Sequence, residues 1–186
     1  MSLELLQQHT LEKTEFRGDT TLTIAPENLR EVCIHCKKML GFDLLLDITA
    51  TDHLDRTPRF DVTYELNRSE DATQLRIKTS PVPPTFPELP ALPTVTDIWP
   101  GADWLEREVY DLSGVKFTDH PDLRRLNMWE GYQHHPLHKD FPLAGVPTDI
   151  PELAFSEAAP LKGGPFVSET TDSSPRAREP RSHSTF

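Results

Sequence analysis

Hydrophobic positions recur at helical spacing in three segments of the chain. The clearest is ENLREVCIHCKKML, where one apolar stripe consists of Leu29, Cys33, Cys36 and Leu40. Pro26 suits the first turn of this helix and Gly41 suits its C-terminal cap, so a helix is predicted over 26–41. A shorter amphipathic helix is predicted over 2–8 from its closely spaced leucines.

The third helical segment begins near Asp103. Asp103 and Glu106 match the D-x-x-E form of a helix N-terminus, in which the first carboxylate caps the helix. Gly114 is predicted to end this helix. Its buried face is predicted to consist of Leu105, Val109 and Leu112. The residues VKF that follow suit a short strand.

Alternation with a period of two predicts the strands. TTLTIA (20–25) is rich in β-branched residues, and FDLLLDITATDHL (42–54) is an apolar run suited to a buried strand. RFDVTYELNR (59–68) and TQLRIKTS (73–80) alternate apolar with polar residues. Three strands with short links after a helix predict an antiparallel meander. The fold class is therefore α+β: two layers, with a mixed, mostly antiparallel sheet covered by helices.

Proline changes this pattern in the second half of the chain. Seven prolines lie between residues 80 and 100, which predicts an extended connector with VTDIW (95–99) as a short strand. After Phe141 the periodicity ends, and the polar, proline-rich remainder has too little apolar content to fold alone. We therefore predict a domain over 1–143 and an extended tail over 144–186, either disordered or bound to a partner.

Charge and hydropathy exclude two classes of function. A formal net charge of −11 opposes binding to a phosphate backbone, so nucleic acid is not an expected partner. The sequence has no apolar run near the roughly eighteen residues of a membrane-spanning helix. The N-terminus also lacks the basic and apolar regions of a secretory signal, so we expect the chain to stay on the cytoplasmic side.

Cys33 and Cys36 form a C-x-x-C pair, which suggests a redox pair or half of a metal site. A tetrathiolate iron–sulfur cluster needs four cysteines, and the chain has two. Both thiols also lie on the apolar stripe of the predicted helix, where cysteine packs as a small hydrophobic residue. We therefore favour buried packing over metal or redox chemistry.

The histidines suggest a zinc site. His134 and His138 would share one face of a helix, with His120 and His135 near them in sequence. Pro136 interrupts that helix, however, and the sequence contains no H-E-x-x-H motif. We therefore expect imidazoles that contact solvent or a partner.

Charged residues crowd the third helical segment. Glu106, Arg107, Glu108 and Asp111 lie there, and Arg107 would face Asp111 one turn later. Two carboxylates that flank an arginine are expected to stay ionised. That is the wrong direction for a general acid. A solvated helix face is the ordinary interpretation of such a cluster, but Tyr110, HPDLRR and HHPLHKDFPL follow within thirty positions and weaken it. The sequence offers no catalytic constellation, phosphate-binding glycine loop or nucleophile elbow.

The segment LEREVYDLSGVKFTDHPDLRRL, followed by HHPLHKDFPL, resembles the signature of the C-subunit family of NADH-quinone oxidoreductase. The mitochondrial counterpart is the 30 kDa subunit of respiratory complex I. The motif residues, which the resemblance places at subunit interfaces, are Glu106, Arg107, Glu108, Tyr110, Asp111, Gly114, His120, Pro121, Asp122, Leu123, Arg124, Arg125, His135, Pro136, Lys139, Asp140, Phe141 and Pro142. The chain departs from the family's usual pattern at Ser113, His134 and His138, where a bulky apolar residue, a glycine and an arginine are usual.

The resemblance implies a non-catalytic subunit in the peripheral arm of a proton-translocating NADH:quinone oxidoreductase. Such a subunit has no catalytic, cofactor-binding or metal-binding residues. FMN and iron–sulfur clusters lie in partner subunits, which pass electrons from NADH to quinone. The expected partners are the iron–sulfur subunits and, chiefly, the quinone-site subunit related to hydrogenase large subunits. The expected location is the cytoplasmic side of the bacterial inner membrane, peripherally, as part of the complex.

Two alternatives stay open. The equivalent subunit of a ferredoxin- or F420H2-fed quinone reductase, or of a membrane-bound hydrogenase, would carry the same motif. A stand-alone metal- or redox-binding protein would use Cys33 and Cys36 or the histidines. We also predict that Arg124 and Arg125 face partner carboxylates at a subunit interface.

Overall fold

The computed structural model describes residues 6, 8–83, 88–129 and 131–143. In chain order the elements are β1 (Thr10–Phe16), β2 (Asp19–Ile24), a 3-10 helix (Pro26–Asn28), α1 (Leu29–Leu40), β3 (Leu44–Asp52), β4 (Phe60–Arg68), β5 (Thr73–Thr79), β6 (Ala91–Pro93), α2 (Ala102–Ser113) and β7 (Lys116–Thr118). The predicted α+β class is confirmed.

The main sheet has five strands in the order β1-β2-β5-β4-β3. Every neighbouring pair is antiparallel except β2 and β5, which run parallel. β3, β4 and β5 form the predicted meander. The parallel pair arises because β2 leads through α1 into the meander, whose last strand returns beside β2. A separate parallel pair joins β6 to β7, with Leu92 opposite Phe117.

One face of the main sheet is apolar and carries the helices. Ile48, Tyr64 and Ile77 from the strands belong to one buried cluster with Val32 of α1 and Val109 of α2. The other face is polar and lines an open concavity with Thr21, Thr23, Thr49, Thr51, Thr63, Glu65, Arg76 and Lys78. One covered and one polar face is the ordinary arrangement for a mainly antiparallel sheet in a two-layer fold.

The first predicted helix is confirmed. It begins with the 3-10 turn at Pro26 and ends at Gly41, whose φ of 74° is the left-handed conformation that glycine tolerates. Cys33 and Cys36 are both fully buried, which confirms their predicted packing in the core. Of the helix predicted over 2–8, the structure describes only residues 6 and 8, and both are helical.

Two local features of the strands were not as the sequence indicated. VTDIW is not a strand but a turn, in which the N–H groups of Ile98 and Trp99 donate to the Val95 carbonyl. The strand in this region is β6, a strand of a two-stranded sheet that accommodates Pro93. The sequence analysis also missed β1. Its residues are almost all exposed, so pairing with β2 rather than apolar burial holds it in place.

None of the helices in the described ranges is both long enough and apolar enough to cross a bilayer. The chain divides into two units, Met1–Lys139 and Asp140–Phe186, and only 140–143 of the second are described. The tail predicted over 144–186 lies outside the described residues, so the division into 1–143 and 144–186 stays a prediction.

Candidate functional site

Helix α2 carries the charged half of the motif. It begins at Ala102, and its N-cap is Gly101, which makes no side-chain capping hydrogen bond. Asp103 lies inside the first turn, so the predicted capping role of Asp103 is wrong. Glu106 does not complete a capping box either, because its carboxylate accepts hydrogen bonds from residues 94 and 95 instead. Gly114 ends the helix as predicted, with φ 69°.

Three of the four charged residues that crowd α2 are buried and Glu108 is exposed, so a solvated helix face does not describe the cluster. Glu106 and Asp111 are fully buried and Arg107 nearly so, whereas Leu105 and Leu112 are only half-buried. Of the predicted apolar stripe, only Val109 is therefore buried. These three charged residues are buried more deeply than the two leucines. Other loops of the chain bond to these residues and exclude water from them, a contact that helical periodicity alone does not reveal.

Asp111 anchors the chain that follows β7. Its Oδ2 accepts hydrogen bonds from the backbone N–H groups of Leu126, Asn127 and Met128 at 2.9, 2.6 and 2.9 Å. Its Oδ1 accepts one from Arg125 at 2.9 Å. Burial by itself would raise the pKa of Asp111, but these donors outweigh it and lower the pKa, as predicted for an ionised group.

The arginines of the motif pair differently from the prediction. Arg107 does not pair with Asp111 one turn later. Its Nε donates to the carbonyl of Arg124, and its guanidinium lies 5.0 Å from the ring centre of Trp104. Arg125 takes the place beside Asp111 and belongs to this chain's own network, whereas the Arg124 side chain is 74% exposed and pairs with Asp122.

The H-H-P-L-H stretch caps the C-terminus of α2. An α-helix leaves its last four carbonyls without partners inside the helix. Here the Asp111 carbonyl accepts from His135 Nδ1, the Leu112 carbonyl from the Leu137 N–H, and the Ser113 carbonyl from His138 Nε2, each at 2.9 Å. This capping gives His138 a structural role at a position where the family pattern is broken.

The expectation that the histidines face solvent or a partner is therefore wrong for His135 and His138, and also for His120, whose imidazole is fully buried. His135 and His138 are half-buried, their ring centres lie 5.3 Å apart, and His138 lies 5.3 Å from the Phe60 ring. His134 is exposed. As predicted, this stretch is not helical. Over the described ranges, no three His, Cys, Asp or Glu side chains are grouped as ligands of a metal ion would be.

Glu106 joins α2 to the proline-rich connector. Its Oε2 accepts from the Thr94 hydroxyl at 2.6 Å, and its Oε1 accepts from the Val95 N–H at 2.7 Å. Burial raises the pKa of Glu106 to about 7, although these two hydrogen bonds oppose the shift. This direction opposes the expectation that the carboxylates beside Arg107 stay ionised, because loss of water favours the neutral acid.

The remaining motif residues are spread around this framework. Glu108 and Pro121 are exposed, Tyr110 and Pro136 are half-buried, and Leu123 packs against the core. The N–H of Lys139 donates to Asp52 at the end of β3, at 2.8 Å. In the second unit, Asp140 and Pro142 are exposed and Phe141 is half-buried.

Sequence analysis missed Asp52. Its carboxylate forms a two-pronged ion pair with Arg59, at 2.7 and 2.6 Å, in addition to accepting the Lys139 N–H. The only sequence signal is the pair of opposite charges around the 53–58 loop, which does not reveal the third partner. The network holds the end of the H-H-P-L-H-K stretch against the main sheet.

Comparison with known proteins is consistent with these features. The model of the respiratory-chain NADH dehydrogenase 30 Kd subunit family matches residues 22–147. The NADH-quinone oxidoreductase C subunit of Geobacter metallireducens is 42% identical over 144 residues, covering 76% of this chain and 86% of that protein. A probable mitochondrial NADH-ubiquinone oxidoreductase 30.4 kDa subunit of Candida maltosa is 38% identical, over 77% of this chain and 51% of its own length.

A solved structure shows the same fold. A chain of the membrane-bound sulfane sulfur reductase, an archaeal respiratory membrane complex, superimposes with a TM-score of 0.61 at 24% identity. The match covers 76% of this chain and 84% of that one. The family model begins within β2, so it covers the rest of the sheet but not β1, and it includes the motif segment that Asp111 organises. The chain therefore belongs to the 30 kDa subunit family of the respiratory-chain NADH dehydrogenase.

Proposed function

We propose that this chain is a non-catalytic scaffold subunit in the peripheral arm of a proton-translocating NADH:quinone oxidoreductase. Helix α2 and the loop after β7 dock against the quinone-site subunit. The observation that carries the proposal is the fourfold bonding of the Asp111 carboxylate, which uses charges of the motif to hold a loop in shape. Rigid loops of this kind suit recognition of a protein surface, because little conformational entropy is lost on binding.

The outer motif surface consists of Trp104, Arg124, Trp129 and Leu137. Their exposures are 62% for Trp104, 36% for Trp129 and 57% for Leu137, while the Arg124 side chain is 74% exposed. Tryptophan and arginine are the residue types that dominate binding energy at protein interfaces. Arg107 beneath Trp104 supports the exposed indole by a cation–π contact.

The proposal assigns the redox chemistry to partner subunits, which hold FMN and the iron–sulfur clusters. The two thiols of this chain support that assignment. Cys33 and Cys36 are fully buried, and burial raises the pKa of both, that of Cys36 to about 12. A thiol that keeps its proton is a poor nucleophile and a poor metal ligand.

NADH as the electron donor is supported by the names of relatives that are 42–44% identical, each of them the C subunit of an NADH-quinone oxidoreductase. The similarity to the sulfane sulfur reductase supports only a common fold. We place the assembled complex at the cytoplasmic face of the bacterial inner membrane, with this chain held there by partner subunits.

The test is affinity purification of the tagged full chain from detergent-solubilised membranes, followed by identification of the subunits that co-purify. We expect the quinone-site, iron–sulfur, and NADH- and flavin-binding subunits. Trp104→Ala should reduce recovery of the quinone-site subunit, whereas Phe16→Ala, which removes an equally exposed aromatic ring from β1, should not. Recovery of a hydrogenase or ferredoxin-linked set would overturn NADH as the donor. Equal recovery in both variants would overturn the docking surface.

A further inference from the structure

Glu106 is an acid enclosed by the fold. Its side chain is fully buried, and it is bonded to a segment that reaches the surface. Thr94 and Thr96 line a surface groove of about 720 Å³ together with Asp103 and Asp119. Burying a carboxylate is costly unless its charge is compensated or it takes up a proton.

We infer that Glu106 is a proton-binding site inside the folded chain, and that the hydroxyls of Thr94 and Thr96 carry the proton between it and solvent. The inference does not depend on the proposed docking surface. It concerns only the isolated chain and three side chains whose hydrogen bonds connect in series. The ligand is a single proton.

The hydroxyl geometry allows both protonation states. Thr94 Oγ1 lies 2.6 Å from Glu106 Oε2 and 3.0 Å from Thr96 Oγ1. When Glu106 is ionised, the Thr94 hydroxyl donates to the carboxylate. When Glu106 is protonated, the acid donates to Thr94 Oγ1, and the Thr94 hydroxyl turns to donate to Thr96. The Val95 N–H remains bonded to Oε1 in both states.

One proton is transferred in this sequence. A hydronium ion or a buffer acid in the groove gives a proton to the Thr96 oxygen and is left as water or the buffer base. Thr96 passes its own proton to Thr94, and Thr94 passes its own to Glu106 Oε2. Each hydroxyl ends with one hydrogen, and the carboxylate gains one. Release to solvent follows the same path in reverse.

His120 also lies close to Glu106. The imidazole is fully buried, and its Nδ1 accepts the Asp122 N–H at 3.0 Å, so its own hydrogen is on Nε2. Nε2 lies 3.3 Å from an Asp103 carboxylate oxygen and 3.8 Å from Glu106. Asp103 is therefore the closer acceptor for the Nε2 hydrogen, and the 3.8 Å separation from Glu106 is too long for a hydrogen bond.

The other groups that face Glu106 favour the protonated state. Burial raises the pKa of Cys33 on α1 and of Tyr64 on β4, so both are neutral. Asp97 and Asp103 add repulsion to the effect of burial. Arg30, the cation on the facing turn of α1, is bound at both nitrogens to Asp97. Burial and these carboxylates together raise the pKa of Glu106 to about 7.

The test is carbon-13 NMR of the full chain with labelled glutamate carboxyls, titrated from about pH 5 to about pH 9. We expect one carboxyl to titrate near pH 7. That signal should be absent in Glu106→Gln and retained in Glu108→Gln, the exposed neighbour on the same helix. Thr94→Val should move the midpoint upward, because the ionised form loses a donor. Thr96→Val should leave the midpoint unchanged and slow the exchange between the two states.

Several results would overturn the inference. One is a set of glutamates that all titrate in the ordinary range, and another is a near-neutral signal that persists in Glu106→Gln. An unchanged exchange rate in Thr96→Val would overturn the relay. Glutamine keeps both hydrogen bonds of the protonated acid, so the variant should fold. If the variant does not fold, Thr94→Val, which keeps the glutamate, is the deciding test. An upward shift of its midpoint supports the inference, and an unchanged midpoint overturns it.

Discussion

Asp111 and Arg125 are joined by a hydrogen bond of 2.9 Å between a fully buried carboxylate and a guanidinium whose side chain is 15% exposed. The second carboxylate oxygen holds three backbone N–H groups of 126–128. The position of the loop after β7 therefore depends on one side chain of α2. This bond places Arg125 inside the subunit, while Arg124, next to it in sequence, faces outward.

Replacing Asp111 should destabilise the free chain severely. Asp111→Ala leaves a buried cation and three N–H groups without their acceptor, a loss of about 3–5 kcal/mol in the free energy of unfolding. Urea unfolding of the full chain measures it. Asp122→Ala is the matched control, because Asp122 forms a largely exposed pair with Arg124 and should cost only about 0–1 kcal/mol. Similar losses in the two variants would show that the Asp111 network carries little stability.

The two arginines should give opposite results. Arg125→Ala removes a charged donor from Asp111 and should lower the free energy of unfolding by about 1–3 kcal/mol. Arg124→Ala should change it by only about 0–1 kcal/mol, yet reduce co-purification of the quinone-site subunit. Unfolding curves and subunit recovery are measured on the same variants. If the Arg125→Ala chain is as stable as wild type but fails to assemble, Arg125 acts at the subunit interface and not within the subunit.

Stability should fall as pH rises through neutrality because of Glu106. The folded chain holds a proton on Glu106 up to about pH 7, whereas the unfolded chain releases it near the ordinary value of 4.5. Between these values the folded state binds more protons, so the free energy of unfolding decreases with increasing pH. The full effect is about 3 kcal/mol.

The measurement is the difference between wild type and Glu106→Gln in unfolding free energy from about pH 4 to about pH 8. The free energy of unfolding of wild type should fall relative to that of the variant as pH rises across that window, and the difference should then level off. Glu108→Gln, exposed on the same helix, should follow wild type. Asp111, whose pKa is lowered, contributes with the opposite sign, since its stabilisation is lost as pH falls below the unfolded value near 3.8. A flat difference curve would show that Glu106 does not titrate anomalously.

Gly114 should tolerate alanine less well than Gly41. Both glycines end a helix with left-handed φ, 69° and 74°, so both substitutions carry the same conformational cost of about 1–2 kcal/mol. A Cβ at Gly114 would also lie 2.8 Å from His135 Cδ2 and 3.0 Å from His138 Nε2, whereas at Gly41 the nearest atom is Arg68 Cδ at 3.4 Å. Overpacking should add about 1–3 kcal/mol at Gly114. Thermal unfolding compares the two variants, and equal losses would mean that the histidines move aside freely.

The two thiols should be inert in the native chain. Cys33 and Cys36 are fully buried, and burial raises the pKa of both. Labelling by a disulfide reagent at about pH 8 should therefore be slow and should accelerate on addition of urea, in step with unfolding. Rapid labelling of either thiol without denaturant would contradict the packed core and reopen a redox role for the pair.

The helix α1, the meander β3–β5 and the family signature could all be inferred from the sequence. Each depends on residues close together in the chain. The stripe of Leu29, Cys33 and Cys36, the glycine that ends the helix, and the period-two strands are consequences of local backbone geometry. The motif segment is likewise contiguous, so the resemblance is visible without knowledge of the fold.

Tertiary structure alone decided what the charged motif residues do. Helical periodicity places Glu106 and Asp111 on α2, but it does not show that the connector at 94–95 and the loop at 125–128 cover them. The exposed strand β1 and the parallel pairing of β2 with β5 escaped prediction for the same reason. Burial depends on segments distant in sequence. It raises the pKa of a carboxylate with few donors, as at Glu106, whereas Asp111 collects enough hydrogen-bond donors to lower its pKa.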